Sequence, residues 1–495
     1  MRLIDLMNGD KPADAAIAAG LGFDPDIDIA GLTADSRQVR PGFLFAALPG
    51  AKEDGSAFIG DAVKRGARAV LAPAGLTFDS PVLVIADANP RLRLARMAAR
   101  FFGQQPETVV AVTGTNGKTS VADFTRQIWT RLGRKAASLG TLGVIAPDLP
   151  SSKGLTTPDP VELHRVLAEL AGSGVGFLAM EASSHGLDQF RLDGVRVKAA
   201  AFVNLARDHL DYHDTMDAYF AAKAQLFDRV MAPGGTAVLN ADSPRFPALV
   251  EICARRGHRV LSFGRSAGAG FRLVDRLARP DGQNLALILN ARAREIDLPL
   301  AGGFQAMNAL AALGLVVATG AKLDEALAAL ETLQGVPGRL QRIATLENGA
   351  AIYVDYAHKP GALEAVLTEI RPFTPGRLWV VFGCGGDRDR GKRPMMGEIA
   401  RRLADRIIVT DDNPRSESPA AIRAEVMQGC PDATEIGDRA EAIHAAIAGL
   451  AAGDVLVIAG KGHEQGQEIA GETRPFDDAA VARSAVQALG LGGAA

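Results

Sequence analysis

The sequence predicts an α/β protein of three domains, each organised around a mostly parallel sheet. Three observations carry that expectation. Short apolar runs alternate with Ala/Leu-rich stretches almost throughout, the pattern of parallel strands joined by crossover helices. The chain has 495 residues, more than one hydrophobic core accommodates, so about two to four domains are expected. Two linking segments then divide it: the polar, Pro-containing "FFGQQPE" near residue 105 and the Gly/Pro-rich "QGVPGRLQRI" near residue 336.

The domains are accordingly drawn at 1–105, 106–336 and 337–495. The first holds three strand-like runs, "GFLFAAL", "ARAVLAP" and "PVLVIAD". The second holds "TVVAVTG", "GFLAME", "AAFVNL" and "GTAVLN", and the third holds "AIYVDY", "LWVVFG", "RIIVT" and "DVLVIAG". The apolar stretch "ALAALGLVVATG" at residues 309–320 is too short to span a bilayer and reads as a buried helix. The chain has no internal repeat or low-complexity segment, and only the tail "GLGGAA" is expected to be loose.

Composition excludes several function classes. A net charge of −3 gives no global basic field for nucleic acid or an anionic membrane. Aromatics at 5% disfavour base-stacking platforms. The three cysteines, Cys253, Cys384 and Cys430, lie far apart and form neither a metal pattern nor a disulfide framework, which fits a reducing cytosol. The N-terminal run "MRLIDLMNGDKPADAAIAAG" has scattered acids and no apolar core, unlike a signal peptide. A cytoplasmic protein with no membrane insertion is expected.

The third block is informative in its layout. "DYAHKPG", "GCGGDRDRGKRP", "DDNPRSES" and "GKGHEQG" each follow one of its apolar strands. In a parallel sheet all of them emerge at one edge, the edge where open α/β sheets bind ligands. One polar loop is ordinary; several Arg/Lys/His-rich loops converging at matching positions predict an anion-binding site.

The stretch "AVTGTNGKTS" at residues 111–120 resembles a phosphate loop with its first glycine replaced by Val112. A β-branched apolar strand precedes it and the helical "SVADFTRQIWTRLG" follows. Gly114 and Gly117 let backbone N–H groups approach phosphate at a helix N-terminus. Lys118 is the loop's cation, reaching the β- and γ-phosphates, and the Thr119 hydroxyl can ligate Mg²⁺. Hard oxygen ligands for that ion are sought nearby. "MEASSHG" puts Glu181 at a strand end beside Ser183, Ser184 and His185, and "NLARDHLDYH" puts Asp208, His209 and Asp211 after another strand. A lone histidine is more often structural, but this clustering favours Glu181 and His209 as site residues.

Taken in order, "TGTNGKTS", "EASSHGL", "NLARDHLDYH", "YFAAKAQLF", "VDYAHKPGAL", "GCGGDRDRGKRP", "DDNPRSE" and "AGKGHEQ" resemble the motifs of the Mur ligases, the ATP-dependent amino-acid ligases of peptidoglycan synthesis. The resemblance spans essentially the whole chain. It implies a UDP-binding N-terminal domain, a central P-loop ATPase domain and a C-terminal Rossmann-like domain that binds the amino acid. Its ATP-binding residues would be Gly114, Thr115, Asn116, Gly117, Lys118, Thr119 and Ser120, joined by Asn308, Arg339 and Asp355. The UDP-substrate would meet Ser36, Thr156, Thr157, Ser183, Gln189 and Arg191. Lys223 would be carbamylated and, with Thr119, Glu181 and His209, would hold Mg²⁺. The catalytic set would be Lys118, Lys223, His209 and Glu181. His209, His358 and His463 are the candidates for the base that deprotonates the incoming amine.

The same resemblance implies addition of meso-diaminopimelate to the D-Glu side chain of UDP-N-acetylmuramoyl-L-alanyl-D-glutamate, with L-lysine, or another amide ligation of this superfamily, as the alternative. Arg388, Asp412, Asn413, Pro414, Arg415, Gly460 and Glu464 would bind the amino acid. Arg415 would pair with the distal carboxylate, while Asp412 and Asn413 would take an ammonium. Without that carboxylate Arg415 is expected to be left buried and unpaired, at a cost of roughly 2–5 kcal/mol. A P-loop switch that binds partners without ligation is the reading from another class; it gives no reason for the basic loops of the third block.

Overall fold

The computed structural model describes residues 1–7, 27–50, 54–76, 82–148, 155–279 and 281–491. Most of the N-terminal run read above and the end of the "GLGGAA" tail lie outside them. The chain forms two compact units, Met1–Ser266 with Ala311–Leu323, and Ala267–Leu310 with Asp324–Ala495.

The first unit holds a four-stranded N-terminal sheet in the order Gly31–Thr33, Phe43–Ala46, Ala69–Pro73, Leu83–Asp87, parallel throughout. The three expected runs are present. Gly31–Thr33 is an addition too short to announce itself. Helix Pro90–Phe102 starts where the Asn89 side chain accepts from the Leu92 N–H and Pro90 fills the first turn. It buries Leu94, Ala95, Met97 and Ala98, four of its apolar residues.

The same unit contains the sheet that carries the phosphate loop. Within this unit its strands run Arg259–Gly264, Thr236–Asn240, Val197–Phe202, Thr108–Thr113, Phe177–Glu181, Ala136–Gly140, Gly143–Ile145, seven of the ten in the sheet. All pairs among them are parallel except the last, a hairpin. Thr108–Thr113 is buried at every residue, as a central strand covered on both faces must be. Its C-terminal end therefore lies between the ends of Phe177–Glu181 and Val197–Phe202, which brings all three strand-end motifs to one edge.

The second unit departs from the expected parallel pattern. Phe271–Arg279, Gly282–Leu289 and Arg292–Leu298 form an antiparallel meander. The two flanking strands, Phe271–Arg279 and Arg292–Leu298, carry several arginines and exposed positions, so they lack the continuous apolar runs by which the other strands were read; Gly282–Leu289 does hold such a run, "LALIL", which the sequence reading passed over. The segment "QGVPGRLQRI" is also only partly a link: Gln341–Thr345 is a strand antiparallel to Ala351–Asp355. The C-terminal sheet then runs Gln341–Thr345, Ala351–Asp355, Val455–Ala459, Leu378–Phe382, Arg406–Val409, Thr434–Glu435, parallel after its first pair. Val380, Phe382 and Val457 enter one apolar cluster, whereas Val381, Leu456 and Ile458 enter another, the two faces of a covered sheet. The helix read at residues 309–320 is found in Gly303–Ala318, which starts earlier and ends two residues short of that stretch.

All three cysteines are free and buried. Burial pushes the Cys384 thiol up to about 12 and those of Cys253 and Cys430 to about 11, so none is a nucleophile at neutral pH.

Candidate active site

In the first unit the phosphate loop turns through Gly114 at φ 153° and Gly117 at φ 86°. Gly117 lies in the left-handed region that favours glycine, and it starts helix Lys118–Arg131. Thr115 and Asn116 anchor the loop. The Ala206 N–H donates to Thr115 Oγ1 at 2.9 Å, and the Asn116 N–H donates to Asn204 Oδ1 at 2.9 Å. Lys118 Nζ donates to the carbonyls of Gly114 and Thr115, both at 2.9 Å. Thr119 and Ser120, at the helix start, are buried.

Lys223 is no surface cation. It is 1% exposed on helix Met216–Gln225, donates to the Gly114 carbonyl at 2.8 Å, and sits 4.3 Å from the centre of the Tyr219 ring. Two ammonium groups thus share one carbonyl oxygen. Burial, reinforced by Lys118, holds the Lys223 pKa well below the ordinary lysine value. A lysine that is readily neutral can take up CO₂.

Glu181 is 1% exposed. Its Oε1 accepts from the Thr141 N–H at 2.7 Å and its Oε2 accepts from the Thr141 hydroxyl at 3.3 Å. A Cβ on Gly140 would lie 2.1 Å from Glu181 Oε1, so that glycine is what gives the carboxylate its seat. His209 has φ 53°, and its N–H donates to Asp208 Oδ1 at 2.9 Å. Its ring packs edge-on against His185 at 4.9 Å between centres. Among the described residues no group of three or more His, Cys, Asp or Glu side chains is arranged to hold a metal ion by itself.

The residues expected to meet the UDP-substrate fall into two places. Thr157, Ser183, Gln189 and Arg191 form one hydrogen-bonded cluster. Thr157 Oγ1 donates to the Glu181 carbonyl at 3.0 Å and accepts from the Ser183 N–H at 3.1 Å. Arg191 donates to the Thr157 carbonyl and to Gln189 Oε1, both at 2.7 Å. Thr156 joins through its hydroxyl, 3.1 Å from that of Thr141. Ser36 lies apart, buried in the short helix Ser36–Gln38 that follows Asp35. The Arg37 hydrogen bond holds the Asp35 carboxyl below its usual range, and Arg37, Gln38, Val39, Arg40 and Phe43 line a cleft of about 510 Å³.

In the second unit, Asn308 is buried and donates to Gln305 Oε1 at 3.0 Å, and Gln305 donates to the Arg339 carbonyl at 2.9 Å. Arg339 stacks over Tyr356 at 4.9 Å. Asp355 accepts from the N–H groups of Leu340 and Ala357 at 2.6 and 2.8 Å, yet burial pushes its pKa up to about 6.

The four loops do leave the C-terminal sheet at one edge. Arg415 has φ 53°, and its Nη1 donates to the Gly386 carbonyl at 2.8 Å. Its Nε donates to Glu468 Oε2 at 3.0 Å. The expectation that Arg415 stands buried and unpaired without a ligand is therefore corrected: its side chain is 20% exposed and already has a carboxylate partner. Asn413 Oδ1 accepts from Lys461 Nζ at 2.8 Å and from the Glu468 N–H at 3.0 Å. Its amide nitrogen donates to Glu464 Oε2 at 3.1 Å. Asp412 keeps the ammonium role open: Oδ2 is buried without a hydrogen-bond partner, and a Cβ on Gly460 would stand 2.6 Å from it. Pro414 is buried between them, and Arg388 is exposed, its Nη1 donating to the Asp387 carbonyl at 3.2 Å.

Of the three candidate bases, His358 and His463 belong to this edge, with ring centres 4.6 and 5.0 Å from that of Tyr356. Burial lowers the His358 pKa, and one ring nitrogen lies 2.8 Å from the Tyr356 carbonyl. Sequence reasoning passed over Thr141, Tyr219, Lys461 and Glu468. Lys461 stands inside the quoted "GKGHE" and its full burial is the clue to an internal role; Glu468 carries no local signal.

Comparison with known proteins agrees with this geometry. Residues 28–101 match the model described as Mur ligase family, catalytic domain; residues 112–316 match the Mur ligase middle domain; residues 338–462 match the Mur ligase, glutamate ligase domain. The chain is 53% identical over 493 residues to the UDP-N-acetylmuramoyl-L-alanyl-D-glutamate--2,6-diaminopimelate ligase of Mesorhizobium japonicum, covering 98% of this chain and 99% of that one. It is 53% identical to the ligase of the same name from Caulobacter vibrioides, covering 94% and 97%. A solved structure of a ligase of that name matches with TM-score 0.74 at 34% identity, covering 99% of each chain.

Proposed function

The chain belongs to the Mur ligase family, and from that premise we propose how its residues divide the work of the reaction. It catalyses the ATP-dependent ligation of meso-2,6-diaminopimelate to the D-Glu side-chain carboxylate of UDP-N-acetylmuramoyl-L-alanyl-D-glutamate, a step of peptidoglycan biosynthesis. The γ-phosphate passes to that carboxylate to give an acyl phosphate. The amine then attacks the acyl carbon through a tetrahedral intermediate, the C–O bond to phosphate breaks, and an amide, ADP and phosphate remain.

The observation that carries the division of roles is the pair of ammonium groups on the Gly114 carbonyl. Both nucleophilic carboxylate and ATP are anionic, so positive charge must meet them before in-line attack. Lys118 leaves the loop carbonyls for the β- and γ-phosphates, while loop N–H groups from Gly114 to Ser120 cradle the rest. Lys223 becomes a carbamate, which turns a buried cation into an oxygen donor. The Thr119 hydroxyl, Glu181, His209 and the Lys223 carbamate offer the hard oxygen and imidazole donors that would hold Mg²⁺. When bound, Mg²⁺ supplies charge neutralisation at the phosphates. Thr156, Thr157, Ser183, Gln189 and Arg191 hold the muramoyl dipeptide, and Ser36 sits beside the uridine.

Asn308, Arg339 and Asp355 are assigned to the nucleotide. Arg388, Asp412, Pro414, Arg415, Gly460 and Glu464 hold the amino acid, with Asn413 as part of the framework. The domain limits 1–105, 106–336 and 337–495 have support in the separate sheets and in the matched segments. We assign the enzyme to the cytoplasm as a monomer; among the described residues no helix is long and apolar enough to cross a membrane. Phosphate release measured against UDP-muramoyl dipeptide with a panel of amino acids tests the reading. Strong preference for meso-diaminopimelate is expected, and comparable catalytic efficiency with lysine would sink it.

A further inference from the structure

Resting on the assignment of the C-terminal edge to diaminopimelate, we propose that Glu468 is a positioning residue for the amino-acid substrate. It aims the Arg415 guanidinium so that one edge of it faces the ligand's distal carboxylate, and it locks the neighbouring Asn413 amide at the same time.

The guanidinium has five N–H donors in a rigid plane. Nε is spent on Glu468 Oε2 at 3.0 Å, and one proton of Nη1 is spent on the Gly386 carbonyl at 2.8 Å. What remains is one proton on Nη1 and two on Nη2, the donors left to meet a carboxylate. The inner side is closed by main chain, since a Cβ on Gly385 would lie 2.8 Å from Nη1. Glu468 thus fixes which face of the fork a ligand can use.

The backbone of Glu468 strengthens the claim independently. The hairpin Gly466–Ile469 with Glu472–Pro475 clasps residue 415: the Arg415 N–H donates to the Glu468 carbonyl at 3.0 Å, and the Ala470 N–H donates to the Arg415 carbonyl at 2.7 Å. The Glu468 N–H also donates to Asn413 Oδ1 at 3.0 Å, sharing that oxygen with buried Lys461. Asn413 is thereby turned to present its NH₂ to Glu464. One residue consequently orients two side chains of the amino-acid site. At 43% side-chain exposure its carboxylate is reached by solvent, which is unlike a residue kept only to fill a core.

The test is steady-state kinetics on the full chain with three variants. Glu468→Ala removes the acceptor for Nε and is expected to raise the KM for diaminopimelate about tenfold, the equivalent of one orienting hydrogen bond to a charged group. kcat and the KM values for ATP and UDP-muramoyl dipeptide should stay near those of the parent. Glu468→Gln keeps an oxygen acceptor and should restore the parent KM. The proposal is overturned if Glu468→Ala leaves the diaminopimelate KM unchanged. It is equally overturned if all three KM values rise together, or if a folded Glu468→Gln fails as Glu468→Ala does. Arg415→Met, run in parallel, separates the two layers. Loss of diaminopimelate use in Arg415→Met with a parent-like Glu468→Ala removes only the positioning role. A parent-like Arg415→Met removes the diaminopimelate assignment and the proposal with it.

Discussion

The phosphate loop and the C-terminal edge handle charge in opposite ways. At the loop, Lys118 and Lys223 crowd one carbonyl, and their repulsion together with burial lowers the Lys223 pKa. At the edge, cations are already matched: Arg415 with Glu468, and Lys461 with Asn413 and Glu464. Lys118 is then the cation that meets polyphosphate, the occupant proposed for the loop, while Lys223, pushed towards its neutral form, is the residue proposed to carry the carbamate. A self-neutralised site gains little from charge alone, so it selects by geometry, through the few donors and acceptors left open. On the assignments proposed above, the difference separates the region that supplies reactivity from the region that supplies choice.

Breaking the first half of the comparison should have the largest effect. Lys118→Ala removes a cation whose Nζ donates to the Gly114 and Thr115 carbonyls of the loop, so the fold should survive while ligation falls by about 10²–10³-fold or more. Phosphate release alongside thermal melting checks this, and a variant turning over near the parent rate would disprove the loop assignment. Lys223→Ala should follow, with a loss of about 10–100-fold that short carboxylates or added CO₂ partly reverse. Because the protonated amine is disfavoured by burial, the neutral form needed for CO₂ uptake is available at lower pH than for an ordinary lysine. Intact mass of the active enzyme reads the modification, and a bare amine there contradicts it.

The second half of the comparison is sharpened at Arg415. Arg415→Met should weaken diaminopimelate use by about 10–100-fold, or about 1.4–2.8 kcal/mol, with ATP binding unchanged. That is less than a wholly buried, unpaired arginine would imply, because Glu468 compensates the charge when no ligand is present. A larger effect on ATP than on the amino acid would reverse the division of labour.

The remaining effect concerns Asp355 and stability. Its folded pKa, about 6, lies above the ordinary 3.8, so the folded state binds its proton more tightly than the unfolded state. The resulting contribution is fully present below pH 3.8 and is lost as pH rises through about 6. Asp355→Asn should therefore lose the parent's gain in stability between pH 7 and 4, about 2 kcal/mol. Denaturant unfolding across that range gives the answer, and identical pH slopes would rule it out.

By itself the sequence determined the α/β alternation, the loop at residues 114–120, and the polar segments at the ends of the C-terminal strands. These signals are local: periodicity, glycine placement and strand-end position are set by residues adjacent in the chain. The flanking strands of the antiparallel meander escaped it because half-exposed, arginine-bearing strands look like loops when only apolar runs are counted. Lys223 reads from sequence as an ordinary helix lysine; only packing carries it 109 residues back along the chain to the Gly114 carbonyl and strips its water. Likewise the "DNPR" loop announces an anion site, yet the partner that orients its arginine lies 53 residues away on a hairpin. Which charges meet, and which lone pairs remain free, depends on burial and distance between remote segments, and those quantities exist only once the chain has folded.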